Sequence, residues 1–228
     1  MIDKFGEQEL NLPGVEKLAV SNRTKLEEDC ANSALDIHGC EGDWNNTLRL
    51  SLVYDARDYA PDPDSGVLVD ASNELALTFL GTPSYRRHTF SASFYVNPLD
   101  LAGVKSSWFR MVVAGRVVYS MMYGSEIPFW SLSKLSFFER TTDGLGGILT
   151  MRGYRQARFV GKVLSLANLE LRCDFLTLRS TRSSFTFKLV PFVDAGRSFD
   201  DPGETSLKDW RLNAGAGLYF QWNQSNII

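Results

Sequence analysis

Polar and apolar residues alternate along most of the segment from Arg158 to Phe175. Its even positions carry the polar and charged side chains: Arg158, Lys162, Asn168, Glu170, Arg172 and Asp174. Its odd positions are small or apolar: Phe159, Gly161, Val163, Ser165, Ala167, Leu169, Leu171, Cys173 and Phe175. Because successive side chains of a strand point to opposite faces, this pattern predicts one long strand over residues 157–175. Its length suits a strand tilted across a bilayer better than a strand of a soluble domain.

The same alternation predicts six further strands in the chain, at about residues 48–57, 67–80, 88–97, 108–121, 184–196 and 209–222. Short turns follow the first, third and fifth strands, and longer loops follow the fourth and sixth. This asymmetry is typical of a membrane barrel. We therefore predict an all-β fold, an antiparallel up-and-down transmembrane β-barrel that is partial, with about seven long strands. Residues 1–47 are interpreted as a long extracellular loop region, with a short helix near residues 23–30, and residues 48–228 as the barrel domain.

Charged residues on the predicted inward faces support a water-filled interior. Arg110 and Arg116 share one face of the fourth strand, and Lys188 and Asp194 share one face of the sixth. Unpaired charges would be costly in a dry core. Pro191 weakens the prediction of the sixth strand because proline donates no ladder hydrogen bond.

Composition and the chain ends narrow the class of protein further. The net charge of −3 over 228 residues gives no reason to expect nucleic acid. No apolar run approaches the roughly 18 residues of a membrane helix. Residues 1–7 lack the features of a signal peptide, and the last predicted strand stops abruptly, so we expect this chain to be part of a longer protein.

The long segment at residues 122–156 has no stable period. Its aromatic residues, Phe129, Trp130, Phe137 and Phe138, argue against disorder, so we expect the segment to pack onto something.

Reactive side chains are few. Cys30 and Cys40 could form a disulfide in an oxidising compartment or remain free, and Cys173 is interpreted as a small apolar residue. His38 and His88 lie far apart in sequence. The aspartates at positions 55, 58, 62 and 64 lack the spacing of a calcium loop, so we expect a solvated turn there. We predict no metal, no cofactor and no enzymatic activity.

Four ordered motifs resemble the outer-membrane assembly and translocation barrels, which include BamA-like and TamA-like proteins, two-partner secretion transporters and the bacterial surface antigen family. The first motif comprises Gly146 and Gly147 followed by Arg152, Gly153 and Tyr154. The second resembles the family's periplasmic turn and comprises Tyr54, Asp55, Arg57 and Asp58, then Pro63 to Gly66. The third is Ile127-Pro128-Phe129, and the fourth is a strand motif with Phe192, Asp194 and Gly196.

The resemblance implies that the long segment is a lumenal loop that folds back into the barrel. It further implies that Arg152 pairs with Asp194, a match of guanidinium fork and carboxylate that favours two parallel hydrogen bonds. Gly153 would let the loop approach the wall, and Tyr154 would pack on it. Without the resemblance, Arg152 would be interpreted as a solvated loop arginine.

The resemblance also implies a function: insertion or translocation of proteins at the bacterial outer membrane. The implied partners are outer-membrane lipid, client outer-membrane or secreted proteins, the remaining barrel strands, and periplasmic domains such as the POTRA repeats. Two alternatives stay open, namely a passive porin-like channel and a barrel that anchors or exports a fused enzyme such as a patatin-like lipase. A soluble β-sandwich is disfavoured by strand length and by the inward arginines.

Overall fold

The structure is a computed structural model, and it describes residues 25–32, 37–42, 44–104, 109–138, 140–223 and 225–227. Residues 1–24 of the predicted extracellular loop region and the start of the predicted fourth strand at Trp108 lie outside the described residues.

One antiparallel sheet dominates the fold. In chain order the strands are β1 Thr47–Asp55, β2 Gly66–Ala76, β3 Tyr85–Val96, β4 Arg110–Gly124, β5 Lys134–Phe137, β6 Arg140–Asp143, β7 Val163–Arg179, β8 Ser184–Phe199, β9 Arg211–Trp222 and β10 Ser225–Ile227. The short helices are α1 Lys25–Ala31, α2 Pro98–Leu101 and α3 Phe129–Leu132. The large sheet has the order β1-β2-β3-β4-β7-β8-β9-β10, and β5 pairs only with β6.

The prediction of an all-β, up-and-down antiparallel fold is confirmed. Seven of the sheet strands are long, and β10 adds three residues beside β9. Within the described residues, β1 and β10 each pair with one neighbour, so the sheet is open, as expected of a partial barrel. No described helix is long and apolar enough to cross a membrane.

The two faces of the sheet differ in chemistry. One face exposes large apolar side chains, among them Leu50, Leu52, Phe90, Phe94, Val117, Leu169, Val193, Leu212 and Leu218. The opposite face carries buried polar and charged side chains, among them Asp70, Arg87, Ser91, Ser120, Lys188 and Asp194. An exposed apolar face opposite a polar interior is the pattern of a membrane-barrel wall, so we call the polar face the lumenal face.

Several predicted strand boundaries are wrong. The fifth strand begins at Val163 instead of residue 157, because Phe159 pairs with Leu145 and packs against Tyr154 in the loop. The second strand ends at Ala76, and residues Thr78–Leu80 form a 3-10 turn. The third strand starts earlier, the fourth runs on to Gly124, and the sixth runs on to Phe199. The segment at residues 122–156, which shows no stable period in sequence, contains α3 and the β5–β6 hairpin.

Pro191 lies inside β8, between β7 and β9. The β7–β8 pairing is interrupted there, between the pairs Glu170–Phe192 and Cys173–Leu189, and resumes in the same register; the register shifts only after Asp174. The missing N–H of proline accounts for the interruption. The strand survives because its β9 neighbour pairs with it continuously from Phe185 to Gly196.

The connections fall at two ends of the sheet. One end, the turn end, holds residues 56–65, 97–104 and 180–183. The other end, the loop end, holds residues 77–84, 125–162 and 200–210. The long segment 125–162, hereafter the lumenal loop, leaves β4 and returns to β7 at the loop end.

Candidate functional site

The lumenal loop folds back onto the lumenal face of the sheet. Its buried apolar side chains Leu135, Phe137, Leu145 and Met151 form one cluster with three wall residues. Those wall residues are Val118, Leu164 and Leu166, which stand on adjacent strands β4 and β7. Burying this apolar surface drives the loop against the wall. The expectation that the aromatic-rich segment packs therefore holds for Phe137.

The tip of the loop is a tight turn that depends on glycine. Gly146 has φ +120°, and a Cβ there would overlap the carbonyl oxygen of Arg155. The N–H of Gly147 donates to the carbonyl of Tyr154 at 2.9 Å, which closes the turn. Thr150 stabilises it further, because its Oγ1 accepts from the N–H of Gly146 at 2.9 Å and donates to the Gly146 carbonyl at 2.8 Å.

Arg152 projects from this turn into a pair of wall carboxylates. Its Nε and Nη2 donate to Asp194 Oδ2 and Oδ1 at 2.9 and 2.5 Å, and its backbone N–H also donates to Oδ2 at 2.9 Å. Its Nη1 donates to Glu170 Oε1 at 2.6 Å. The bidentate geometry is the strong form of a guanidinium–carboxylate pair. The structure thus brings together Arg152 and Asp194, the two residues that the family resemblance implied as partners.

The carboxylate of Asp194 is fully buried. Besides Arg152, it accepts a hydrogen bond at 2.7 Å from Asn168 Nδ2, which also donates to the Thr150 carbonyl at 2.7 Å. A buried carboxylate is tolerated only when paired and hydrogen-bonded in this way. Burial alone would lower the pKa of Arg152, but the hydrogen bond to Asp194 and the charge of Glu170 raise it above its ordinary value, so the arginine stays charged.

The other motif residues surround this pair. The guanidinium carbon of Arg152 lies 3.7 Å from the ring centroid of Phe192. Gly196 admits the loop, since a Cβ there would come within 2.7 Å of Met151 Sδ. The Tyr154 hydroxyl donates to the Leu212 carbonyl at 3.3 Å, and Gly153 has φ +94°. Loop motif and strand motif are therefore one packed unit.

Sequence reasoning missed four members of this site: Glu170, Asn168, Thr150 and Arg116. Arg116 donates from Nη2 to the Leu149 carbonyl at 2.6 Å and to Asn168 Oδ1 at 2.7 Å. The alternation in sequence predicts that Asn168, Glu170 and Arg116 face inward. It does not predict the strand pairing that aligns them with the loop tip.

Two further wall arginines hold other parts of the loop by its backbone. Arg87 on β3 donates from Nη2 to the Ser131 carbonyl at 2.6 Å, and Arg49 on β1 donates to the Ser136 carbonyl at 3.2 Å. Together with Arg116, these arginines bind three loop carbonyls from three strands.

The turn motif lies at the opposite end of the sheet, away from Arg152. Asp55 and Arg57 form a bidentate pair at 2.8–2.9 Å. Asp58 accepts from the N–H groups of Tyr59 and Asp64 at 2.8 and 3.0 Å. Burial would raise the pKa of Asp58, but these backbone hydrogen bonds hold it below its ordinary value. Gly66 has φ +113°, whereas Tyr54 stands on the outer face, 63% exposed.

The expectation of a solvated turn is wrong for Asp62. Its carboxylate contacts Lys188 Nζ at 2.5 Å and Arg110 Nη1 at 3.1 Å. Burial alone would raise the pKa of Asp62, but the hydrogen bond from Lys188 and the charges of Arg110 and Arg172 lower it. Among the described residues, no group of three or more His, Cys, Asp or Glu is placed to hold a metal.

Cys30 and Cys40 are joined by a disulfide. The segment that it closes reaches the lumenal loop, because the N–H of Phe129 donates to the His38 carbonyl at 3.0 Å. Cys173 is a free thiol on β7. His88 lies on β3 with its Nδ1 3.2 Å from Asn73 Nδ2, whereas His38 forms a β-bridge with Pro128 of the lumenal loop.

The fold and this site define a class of protein: a membrane-barrel wall with an internal loop tied to it by a buried arginine–carboxylate pair. A family model described as the Omp85 superfamily domain matches residues 14–227, so this chain belongs to the Omp85 superfamily. Members of this superfamily are outer-membrane barrels of protein assembly and translocation. A search of curated proteins finds no match to the chain.

Proposed function

We propose that this chain forms part of the wall and the lumenal loop of a barrel that inserts or translocates proteins at the bacterial outer membrane. The observation that carries the proposal is the docking of the loop tip through Arg152 onto the fully buried Asp194. A loop held this firmly inside a barrel restricts its lumen and braces neighbouring strands against each other.

The loop braces the wall because its contacts span several strands. Arg152 reaches β7 through Glu170 and β8 through Asp194, while Tyr154 reaches β9. A brace across three strands sets the curvature of the wall, on which opening of a barrel for a client depends. Such a device acts by conformation and requires no chemical step of its own.

The partners follow from the two faces. The outer face, with its exposed leucines, valines and phenylalanines, suits the hydrocarbon of outer-membrane lipid. Client outer-membrane or secreted proteins would meet the barrel at its lumen or at its strand edges. The loop end would face the cell exterior and the turn end the periplasm, where additional domains of the intact protein would stand.

The test is Arg152→Ala and, separately, Asp194→Ala in the intact protein that carries this chain. Assembly of a client barrel or secretion of a client is measured together with the folded fraction of the variant. Both variants should fold and lose most client activity. Arg155→Ala is the matched control, because Arg155 is an exposed arginine three residues further along the same turn.

Full client activity in both variants would overturn the role given to the loop. A barrel that conducts small solutes while its loss leaves client proteins unaffected would instead favour the passive channel. Retained export of a domain fused to the chain, with no effect on separate clients, would favour the anchor.

A further inference from the structure

We infer that the turn formed by residues 56–65, hereafter the lumenal turn, is a second closure of the lumen at the turn end of the sheet. Its carboxylates bind cations on three distant strands, and Glu170 couples it to the loop site. The inference rests on the proposed function only for the orientation of the barrel in the membrane.

Hydrogen bonds within the lumenal turn fix its conformation independently of its contacts with the wall. The Asp58 carboxylate accepts from two backbone N–H groups within the turn, and Arg57 donates to the Ala60 carbonyl at 3.3 Å. The N–H of Ala56 donates to the Val67 carbonyl at 2.9 Å. These bonds present Asp62 and Asp64 at a fixed position, which lowers the entropy cost of binding the wall.

The carboxylates of the turn then reach across the sheet. Asp62 contacts Arg110 on β4, Lys188 on β8 and, at 3.9 Å, Arg172 on β7. Arg110 also binds Asp64, and its Nη2 donates to the Asp62 backbone carbonyl at 3.2 Å. The turn belongs to the β1–β2 hairpin, and its contact with Lys188 joins residues 126 positions apart across the lumenal face.

The contact between Asp62 and Lys188 is sheltered from solvent. The Lys188 side chain is 5% exposed and that of Asp62 is 16% exposed. Asp174 completes the cluster, since it contacts Arg110 at 3.3 Å and Lys188 at 3.8 Å. The cluster therefore balances three carboxylates against three cations, as partial burial requires. The carboxylates are Asp62, Asp64 and Asp174, and the cations are Arg110, Arg172 and Lys188.

Residues of the lumenal turn and the lumenal loop line one cavity of about 520 Å³ on the lumenal face. Pro61 and Asp62 line it from the turn, and Phe138, Ile148 and Leu149 line it from the loop. Each segment thus covers one side of the same space.

Glu170 connects the two segments. Its Oε1 accepts from Arg152 at 2.6 Å and its Oε2 accepts from Arg172 Nε at 3.0 Å. Arg172 in turn lies near Asp62. An unbroken line of alternating charges therefore runs from the loop tip to the lumenal turn, through a single carboxylate of β7.

The test measures access to the cavity from the turn end. Ser93 is a buried β3 residue that lines the cavity, so Ser93→Cys in a Cys173→Ala background places one free thiol there. The intact protein is purified and reconstituted, and the labelling rate with a membrane-impermeant maleimide is measured with and without Asp62→Asn. Asp200→Asn is the matched control, because it makes the same change on an exposed residue of the loop end.

We expect Asp62→Asn to raise the labelling rate roughly tenfold or more, because it weakens charge-assisted hydrogen bonds that hold the turn closed. Asp200→Asn should leave the rate unchanged. Heat-modifiable migration on a gel reports whether each barrel is folded.

A folded Asp62→Asn variant with an unchanged rate would overturn the inference. If that variant does not fold, Lys188→Gln breaks the same contact from the wall and is measured instead. Failure of both variants to fold would also overturn it, because the cluster would then be needed to form the wall rather than to close it. None of these readouts uses a client protein, so a negative result here leaves the proposed function standing.

Discussion

The two ends of the lumen are closed by the same kind of contact with opposite polarity. At the loop end, a guanidinium from a connecting segment enters a wall that offers the carboxylates Asp194 and Glu170. At the turn end, a carboxylate from a connecting segment enters a wall that offers Arg110 and Lys188. The strand wall thus offers carboxylates to the lumenal loop and cations to the lumenal turn.

The two contacts differ in burial. Asp194 is fully buried, whereas the Asp62 side chain is 16% and the Asp64 side chain 39% exposed. A charge pair weakens with solvent access, so the loop contact should be the stronger of the two. We therefore expect the wall contacts of the lumenal turn to break before those of the lumenal loop when the folded barrel is destabilised.

The largest effect should come from Asp194→Ala. This change leaves the Arg152 guanidinium and the Asn168 amide without their buried acceptor, and breaking a buried pair from one side costs about 3–5 kcal/mol. The free energy of barrel unfolding should fall by that amount, as measured by urea titration in micelles. Asp62→Ala, measured in the same way, should cost clearly less. Equal losses would contradict the burial argument.

A matched pair of glycines allows the two segments to be disturbed one at a time. Gly146 and Gly66 have φ +120° and +113°, and a Cβ at either would overlap a backbone carbonyl oxygen, that of Arg155 or that of Ala56. Substitution by alanine should cost about 1–3 kcal/mol at each site. Gly146→Ala should expose the lumenal loop to limited proteolysis, and Gly66→Ala should open the turn end to the Ser93→Cys label. Gly103→Ala is the control, because its φ is +71° but a Cβ there meets nothing.

Much of the wall could be predicted from sequence, and the reason is physical. Successive side chains of a strand point to opposite faces, so the inward orientation of Lys188 and Asp194 can be predicted without a structure. The ends of the strands could not be predicted from sequence, because Phe159 and Gly161 continue the alternation of β7 although they lie in the lumenal loop. Alternation reports only which face a residue would occupy and not whether the strand has a neighbour to pair with.

The candidate site was predictable where a resemblance supplied the pairing and not elsewhere. Arg152 and Asp194 stand 42 positions apart, and no local pattern joins them. Asp62 was interpreted as solvated because turns with many aspartates usually are, and its partner Lys188 lies 126 positions away. Register and curvature of the sheet decide such contacts, and both depend on the whole set of strands.

Glu170 offers a way to measure whether the two ends are coupled. Its carboxylate contacts Arg152 and Arg172, and its side chain is 20% exposed. In a double-mutant cycle of Arg152→Ala and Asp62→Asn, the effects on unfolding free energy should depart from additivity by about 0.5–1 kcal/mol. In a Glu170→Gln background the departure should vanish. Additivity in both backgrounds would show two independent closures.

The smallest effect should be a response of the turn end to acid. The pKa of Asp62 is lowered in the folded protein, so its contribution to stability is present above the ordinary aspartate pKa and is lost as pH falls through the lowered value. Conductance of the reconstituted barrel should therefore rise only below about pH 4. Asp62→Asn should reduce this rise, because its turn end is already loosened at neutral pH. An equally large acid response in that variant would assign the effect to other carboxylates.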